Sequence, residues 1–151
     1  MRQLENAGIA YNMFIYNAGD GQIDGISVAR KIGKPVEMVY KTLVTQGASR
    51  EHFVYIIPVA EELDLKAAAR AVGEKYVALI KVADINKVTG YIRGSCSPIG
   101  MKREYRTVLD ESALARATIV VSPGKIGQQI ELAPGDLLRV TKAATAKLVA
   151  G

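Results

Sequence analysis

The chain has one cysteine, Cys96, and one histidine, His52, in 151 residues. A single cysteine excludes an internal disulfide. With the one histidine far from it in sequence, little remains from which to build a structural zinc site, and any metal would need carboxylates alone. No metal or other cofactor is therefore expected. The G-x-S-x-G elbow, the H-E-x-x-H helix and the P-loop are also missing, which removes the common routes to an activated serine, a zinc-bound water or a cradled nucleotide. No apolar run approaches the roughly 18 residues that a membrane span needs, and the N-terminus MRQLENAG lacks the apolar core of a signal peptide. The expectation is a cytoplasmic protein without membrane contact.

What is present can fill a core. Apolar residues make up 49% of the chain and charged residues 23%, a composition that fits one globular domain over residues 1–151. The net charge of +5 favours a polyanionic partner, although such an excess is also common in proteins that touch no nucleic acid. Taken in order, Arg2–Ala7 reads as a short helical start stopped by Gly8, and Ile9–Tyr16 as a strand broken by the turn residues Asn17–Gly21. Ile26, Ala29 and Ile32 recur at helical spacing before Gly33, and Asp64 is a good N-cap for Leu65–Val72, which ends at Gly73. Val39–Gln46 and Phe53–Val59 read as a hairpin, Tyr76–Lys81 as a short strand and Ala83–Val88 as a short helix ended by Gly90. Arg106–Leu109, Thr118–Ser122 and Gln128–Leu132 are further β-like runs, Pro134 opens a helix through Val140, and the small, basic tail Lys142–Gly151 is expected to fray. Strands interrupted by helices at irregular intervals point to a mixed α/β (α+β) domain with hairpins.

The stretch around which the rest is organised is Thr89–Arg103, TGYIRGSCSPIGMKR. Gly94 and Gly100 release the backbone to positive φ while Pro98 fixes φ and removes a donor, so the run is a shaped loop. Backbone this bare can approach a ligand closely and present successive N–H groups to an anion or a developing oxyanion; it could also be an ordinary turn. Lys41 stands out next. It shares one strand face with Val39 and Leu43, while Tyr40, Thr42 and Val44 line the other, so neither face reads as solvent. Such a lysine is paired, snorkelling or functional, and a ligand's negative group is a reasonable partner. Cys96 as a nucleophile would need a base, and His52 lies in what reads as a polar loop, so a passive thiol is the expectation. Lys102, Arg103, Arg106, Lys125, Arg139, Lys142 and Lys147 concentrate the positive charge in the C-terminal half, as phosphate contacts or as solvated surface.

Four stretches together carry a family resemblance: VYKTLV at Val39–Val44, LDLKAAARAVG at Leu63–Gly73, TGYIRGSCSPIG at Thr89–Gly100 and VSPGKIGQQIELAPGDLL at Val121–Leu138. In order and across nearly the whole chain they resemble the YbaK/EbsC family of Cys-tRNA(Pro) deacylases, relatives of the editing domain inserted in bacterial prolyl-tRNA synthetases. The resemblance implies a mixed, barrel-like β-sheet flanked by helices and a trans-editing enzyme that cleaves the ester of misacylated tRNA. It implies no cofactor, and as partners an aminoacylated tRNA(Pro) and prolyl-tRNA synthetase. By motif, the family's substrate-site lysine falls on Lys41 with Thr42 beside it. The G-x-x-x-P loop falls on Gly94 to Pro98 and includes Ser97. The tyrosine ending the first strand falls on Tyr16, and the serine before a glycine-rich turn on Ser122. Two positions depart from the pattern: Asn17-Ala18-Gly19 follows Tyr16 where the family often has acidic residues and a histidine, and Gln129 stands where cysteine deacylases carry an acidic residue. A neutral amide does not counter a substrate α-ammonium as a carboxylate would. A deacylase of the same fold with another amino-acid specificity, and a non-catalytic tRNA- or synthetase-binding module, are the competing readings.

Overall fold

Capping side chains and left-handed residues set most element boundaries. The computed structural model describes residues 2–150. After α1 (Arg2–Asn6) and β1 (Asn12–Ile15), the helix α2 (Gly25–Ile32) starts where the Asp24 carboxylate accepts the Ser27 N–H at 3.1 Å. It stops at Gly33, whose φ of 71° belongs to the left-handed region. β2 (Tyr40–Gly47) and β3 (His52–Pro58) form the expected hairpin. Asp64 caps α3 (Leu65–Val72) by accepting the N–H groups of Lys66 and Ala67 at 3.0 and 3.2 Å. β4 (Val77–Leu79), α4 (Ile85–Thr89), β5 (Arg106–Asp110), β6 (Ile119–Val121), β7 (Gln128–Leu132), α5 (Pro134–Thr141) and β8 (Ala144–Ala146) complete the order.

The strands make two sheets, β1-β7-β6 and β4-β2-β3-β5-β8, and neither closes on itself, so the expected barrel-like sheet is two open ones. β3 lies at the centre of the larger sheet and is buried on both faces, which is why FVYII is a continuous apolar run and not an alternation. Phe53, Tyr55 and Ile57 pack against Ala68, Ala69 and Val72 of α3. On the opposite face Ile56 meets Ile119, Val121, Ile130 and Leu132 of the smaller sheet, with Leu4 and Leu137 at the margins. Each such fully buried aliphatic side chain contributes roughly 1.5–3 kcal/mol relative to exposure, so this shared layer is what holds the sheets face to face.

The C-terminal tail is ordered, against expectation. β8 pairs in parallel with β5, the Leu148 side chain is fully buried, and Leu63 and Val149 form a bridge. The anchor is Asp110, itself buried, whose carboxylate accepts the Leu148 N–H at 2.8 Å and the Ser112 N–H at 3.2 Å. Replacing Asp110 by Ala strands one buried and one part-buried donor and is expected to cost about 2 kcal/mol. Urea unfolding checks this: a midpoint unchanged in Asp110→Ala would mean that the tail is held by packing alone, whereas Asp110→Asn, which keeps an acceptor oxygen, is expected to recover part of the loss.

Candidate active site

The site opens where two parallel strands stop pairing. Val39, just before β2, and Val120 of β6 form an isolated parallel bridge that ties the two sheets together. Beyond it lies a cleft of about 880 Å³. One wall is β2 from Tyr40 to Val44, another is Ser122, just after β6, with Gln129 of β7, and the loop residues Arg93, Gly94 and Cys96 form a third. Ile23 to Ile26 and the apolar run Leu79, Ile80, Val82 and Ile85 complete it. Ile26, Leu79 and Val82 are each more than half exposed there, an apolar rim with no protein cover.

The rim loop 17–22 is tied by one lysine. Lys31 Nζ donates to Asn17 O, Asp20 Oδ1 and Gln22 O at 2.7, 2.8 and 2.9 Å, and its hydrogen bond, with one from the Gln22 N–H, holds the Asp20 carboxyl below the ordinary range. The central loop is held at both ends. Lys102 N–H donates to Thr89 O at 2.8 Å, Tyr91 OH to Ile99 O at 2.5 Å, and Ser122 Oγ to Ser95 O at 3.0 Å. Gly94 has φ 87°, in the left-handed region, so this corner of the loop favours glycine for its conformation.

The electrostatics of the cleft follow from two cations and one occupied carboxylate. Asp24 is the acidic residue among the lining side chains, and hydrogen bonds from the Ser27 hydroxyl and N–H hold its carboxyl below the ordinary range. Lys41 is partly buried, and desolvation pulls its pKa below the ordinary lysine value while the more distant Glu62 and Glu61 push back. Among the described residues neither Lys41 nor Arg93 has a carboxylate within 4.0 Å. A ligand anion would meet both cations unpaired.

Lys41, Thr42, Gly94, Ser122 and Gln129, all expected at the site from sequence, line this one cleft. Tyr16, Ser97 and Pro98 do not. Tyr16 is buried beside Lys31, whose Nζ lies 5.7 Å from the ring centroid, and the Tyr16 hydroxyl has no hydrogen-bond partner. Ser97 is fully buried and accepts the Ile99 N–H at 3.1 Å, while Pro98 faces a second, smaller cavity of about 320 Å³ behind the loop. Ser122 is already engaged, donating to Ser95 O and accepting the Gly124 N–H at 3.1 Å, which makes it a positioning residue for the loop. His52 is the first residue of β3 and not a loop residue; its ring packs edge-on against Tyr105, at 5.8 Å between centroids. Of the C-terminal cations none lines the cleft: Arg106 donates to Val72 O, Arg139 pairs with Asp136 and Lys142 with Glu104. Arg93 is the functional candidate that sequence reading passed over, because an arginine inside a glycine-rich turn has the signature of solvated surface.

Burial pushes the Cys96 thiol up to about 11, with the Thr89 hydroxyl pulling weakly the other way. At neutral pH it is a thiol and no nucleophile. Alkylation by iodoacetamide at pH 7.5 is expected to run at least ~100-fold slower than for a free thiol of pKa ~8.5, and Cys96→Ala is expected to keep its activity. Rapid labelling of the folded protein would contradict this placement.

The fold has counterparts. The EbsC protein of Enterococcus faecalis (strain ATCC 700802 / V583), whose name provisionally describes a Cys-tRNA(Pro)/Cys-tRNA(Cys) deacylase, is 40% identical over 148 residues, spanning 98% of this chain and 90% of EbsC. A crystal structure described provisionally as a trans-editing enzyme for prolyl tRNA synthetase superposes with TM-score 0.87 at 24% identity, over 99% of this chain and 94% of the other. The hypothetical protein APE2540 superposes with TM-score 0.88 at 20% identity, over 99% and 97%. At those identities the two structures speak for the fold alone. Residues 24–140 match the aminoacyl-tRNA editing domain, a segment that runs from the cap of α2 to the last turns of α5 and so contains every residue lining the cleft except Gly21 and Ile23. With that match and the EbsC likeness together, the chain belongs to the aminoacyl-tRNA editing domain family.

Proposed function

We propose that this chain is a trans-acting deacylase that removes cysteine from mischarged tRNA, Cys-tRNA(Pro) being the primary substrate. The observation that carries the reading is Lys41, a desolvated cation without an ion-pair partner among the described residues, on the wall of a cleft whose one lining carboxylate is occupied. Lys41 and Arg93 hold the phosphate of the 3′-terminal nucleotide, and the exposed apolar rim of Ile26, Leu79 and Val82 takes the face of its base. Within the Gly94–Pro98 loop, Gly94 and Cys96 face the aminoacyl end and offer their N–H groups to the ester oxygen. Domain 1–151 acts in the cytoplasm as one unit, and prolyl-tRNA synthetase supplies tRNA selectivity that so small a surface lacks.

The cleft's own side chains offer no base. Cys96 is protonated and His52 lies outside the cleft. The substrate supplies the nucleophile instead. The cysteinyl sulfur, with a free pKa of ~8.5, is partly thiolate at neutral pH and sits on the same molecule as the carbonyl. It attacks that carbon, a C–S bond forms, the C–O bond to the ribose breaks, and the proton from the thiol ends on the ribose 3′-oxygen. The product is a cyclic cysteine thiolactone and free tRNA, and the protein's part is to fold the aminoacyl group into reach and stabilise the oxyanion. Gln129 in the cleft favours a second reading, the same chemistry site with another amino acid, since its amide cannot counter an α-ammonium as a carboxylate would.

Two measurements separate these readings. Cys-tRNA is expected to be cleaved at least ~100-fold faster than Ala-tRNA or Ser-tRNA, which are close in size and lack the sulfur. Comparable rates on Ala-tRNA would point to an activated water and to the second reading, and no cleavage of any charged tRNA would leave a binding module. Lys41→Met is expected to lower kcat/KM on Cys-tRNA by about 10²-fold or more while raising the thermal midpoint. The sign follows from linkage: the folded-state pKa of Lys41 lies below its unfolded value, so its charge opposes folding at neutral pH, and the penalty fades only as pH rises through that lowered pKa towards the ordinary lysine value. A Lys41→Met protein that loses stability together with activity would make Lys41 structural.

A further inference from the structure

We infer that the main chain of Thr42 receives the aminoacyl group as one extra residue of sheet, its C=O accepting from the α-ammonium and its N–H donating to the ester carbonyl. This rests on the deacylase reading and names the subsite that the reading leaves open. The alternation along β2 fixes which way each residue's hydrogen-bonding groups point. Val59 N–H donates to Val39 O, and Gly47 N–H to Glu51 O, both at 2.9 Å. With the register Lys41↔Ile57 and Leu43↔Tyr55, odd-numbered residues therefore bond towards β3 and even-numbered ones towards the opposite edge. Val44 follows the rule, its C=O on that edge accepting the Ile80 N–H at 3.1 Å.

On the opposite edge two partners stop short of Thr42. The bridge to β6 lies at Val39, and the ladder with β4 begins only at Thr45↔Leu79. Among the described residues no ladder or bridge pairs Thr42 on that edge, no turn or loop residue bonds its N–H or C=O, and Thr42 lines the cleft. A donor and an acceptor thus stand side by side in the gap between the bridge at Val39 and the bonded Val44.

An aminoacyl ester is complementary to that gap. Its nitrogen donors and its carbonyl oxygen are separated by a single Cα, as in a peptide residue, so it forms the close two-bond pair of an antiparallel ladder. The pairing supplies what Gln129 does not, a partner for the α-ammonium. It also sets the side chain on the face of Thr42, opposite to the face that carries Lys41, and so keeps the reacting sulfur apart from the phosphate-binding cation. As the carbonyl becomes an oxyanion, the Thr42 N–H is a donor already in place, alongside those of the loop.

Residue-resolved amide hydrogen exchange, with and without L-cysteinyl-3′-amino-3′-deoxyadenosine, tests this; the amide in place of the ester prevents cleavage. In the free protein the Thr42 N–H is expected to exchange at least about tenfold faster than those of Lys41 and Leu43, and saturating analogue to slow it at least tenfold. The analogue lacking the α-amine is expected to bind about tenfold more weakly, the factor that ~1.4 kcal/mol gives. If the cysteinyl analogue shifts the Gly94 and Ser122 resonances while Thr42 exchange is unchanged, the Thr42 subsite is overturned and the deacylase reading stands. If no cleft resonance shifts at any concentration, the deacylase reading falls and takes this subsite with it.

Discussion

A bridge between Val39 and Val120 joins two sheets whose facing side chains share one core, and the cleft lies where that pairing stops. Parallel strands whose ladder ends leave unpaired backbone at the point of parting, the same reason that ligands of open α/β sheets gather at crevices between strands. Here the bridge is backed by Ala29 of α2, which packs with Val39 and Val120 and sets the helix, with its cap at Asp24, along one side of the opening. Moving this small cluster would alter the width of the cleft before it touched any residue of the site. The constraint is one of topology, and the polar residues are arranged around it.

Rigidity of the central loop comes from uncharged hydrogen bonds. The central loop is short of side-chain bulk and would be mobile if left alone, but Thr89, Tyr91 and Ser95 return its polar groups to its own backbone, and Ser122 fastens it to the smaller sheet. Donors fixed in this way can stabilise developing charge without reorganising at the moment of reaction. The cations are left over by this scheme: Lys41 and Arg93 do not take part in it, and both stand in the cleft. Stability and chemistry use different residues in this fold, with Lys41 held at some cost in desolvation.

Features written in local sequence were legible. Asp64 as a cap, Gly33 and Gly73 as helix stops and the β2–β3 hairpin all depend on residues within a few positions of one another, and all stand where sequence placed them. The tail was not legible, because Ala144–Ala146 has no strand character of its own and acquires it from β5 and from the Asp110 carboxylate, 38 residues before Leu148. The division into two sheets was hidden for the same reason. Within the site, the Gly94–Pro98 motif could be seen, but which of its residues face the cleft depends on the left-handed turn at Gly94: Gly94 and Cys96 face it, and Ser97 is turned into the core. Arg93 was missed because its position beside the cleft follows from that turn and from nothing in its neighbours.

The central claim is that the aminoacyl end of tRNA binds between the β2 edge and the Gly94 loop. A crystal structure with a CCA trinucleotide ending in an uncleavable 3′-aminoacylamide tests it most directly. The account expects the terminal phosphate within hydrogen-bond reach of Lys41 or Arg93 and the aminoacyl group beside Thr42. Density in the smaller cavity behind Pro98, with the cleft empty, would contradict it.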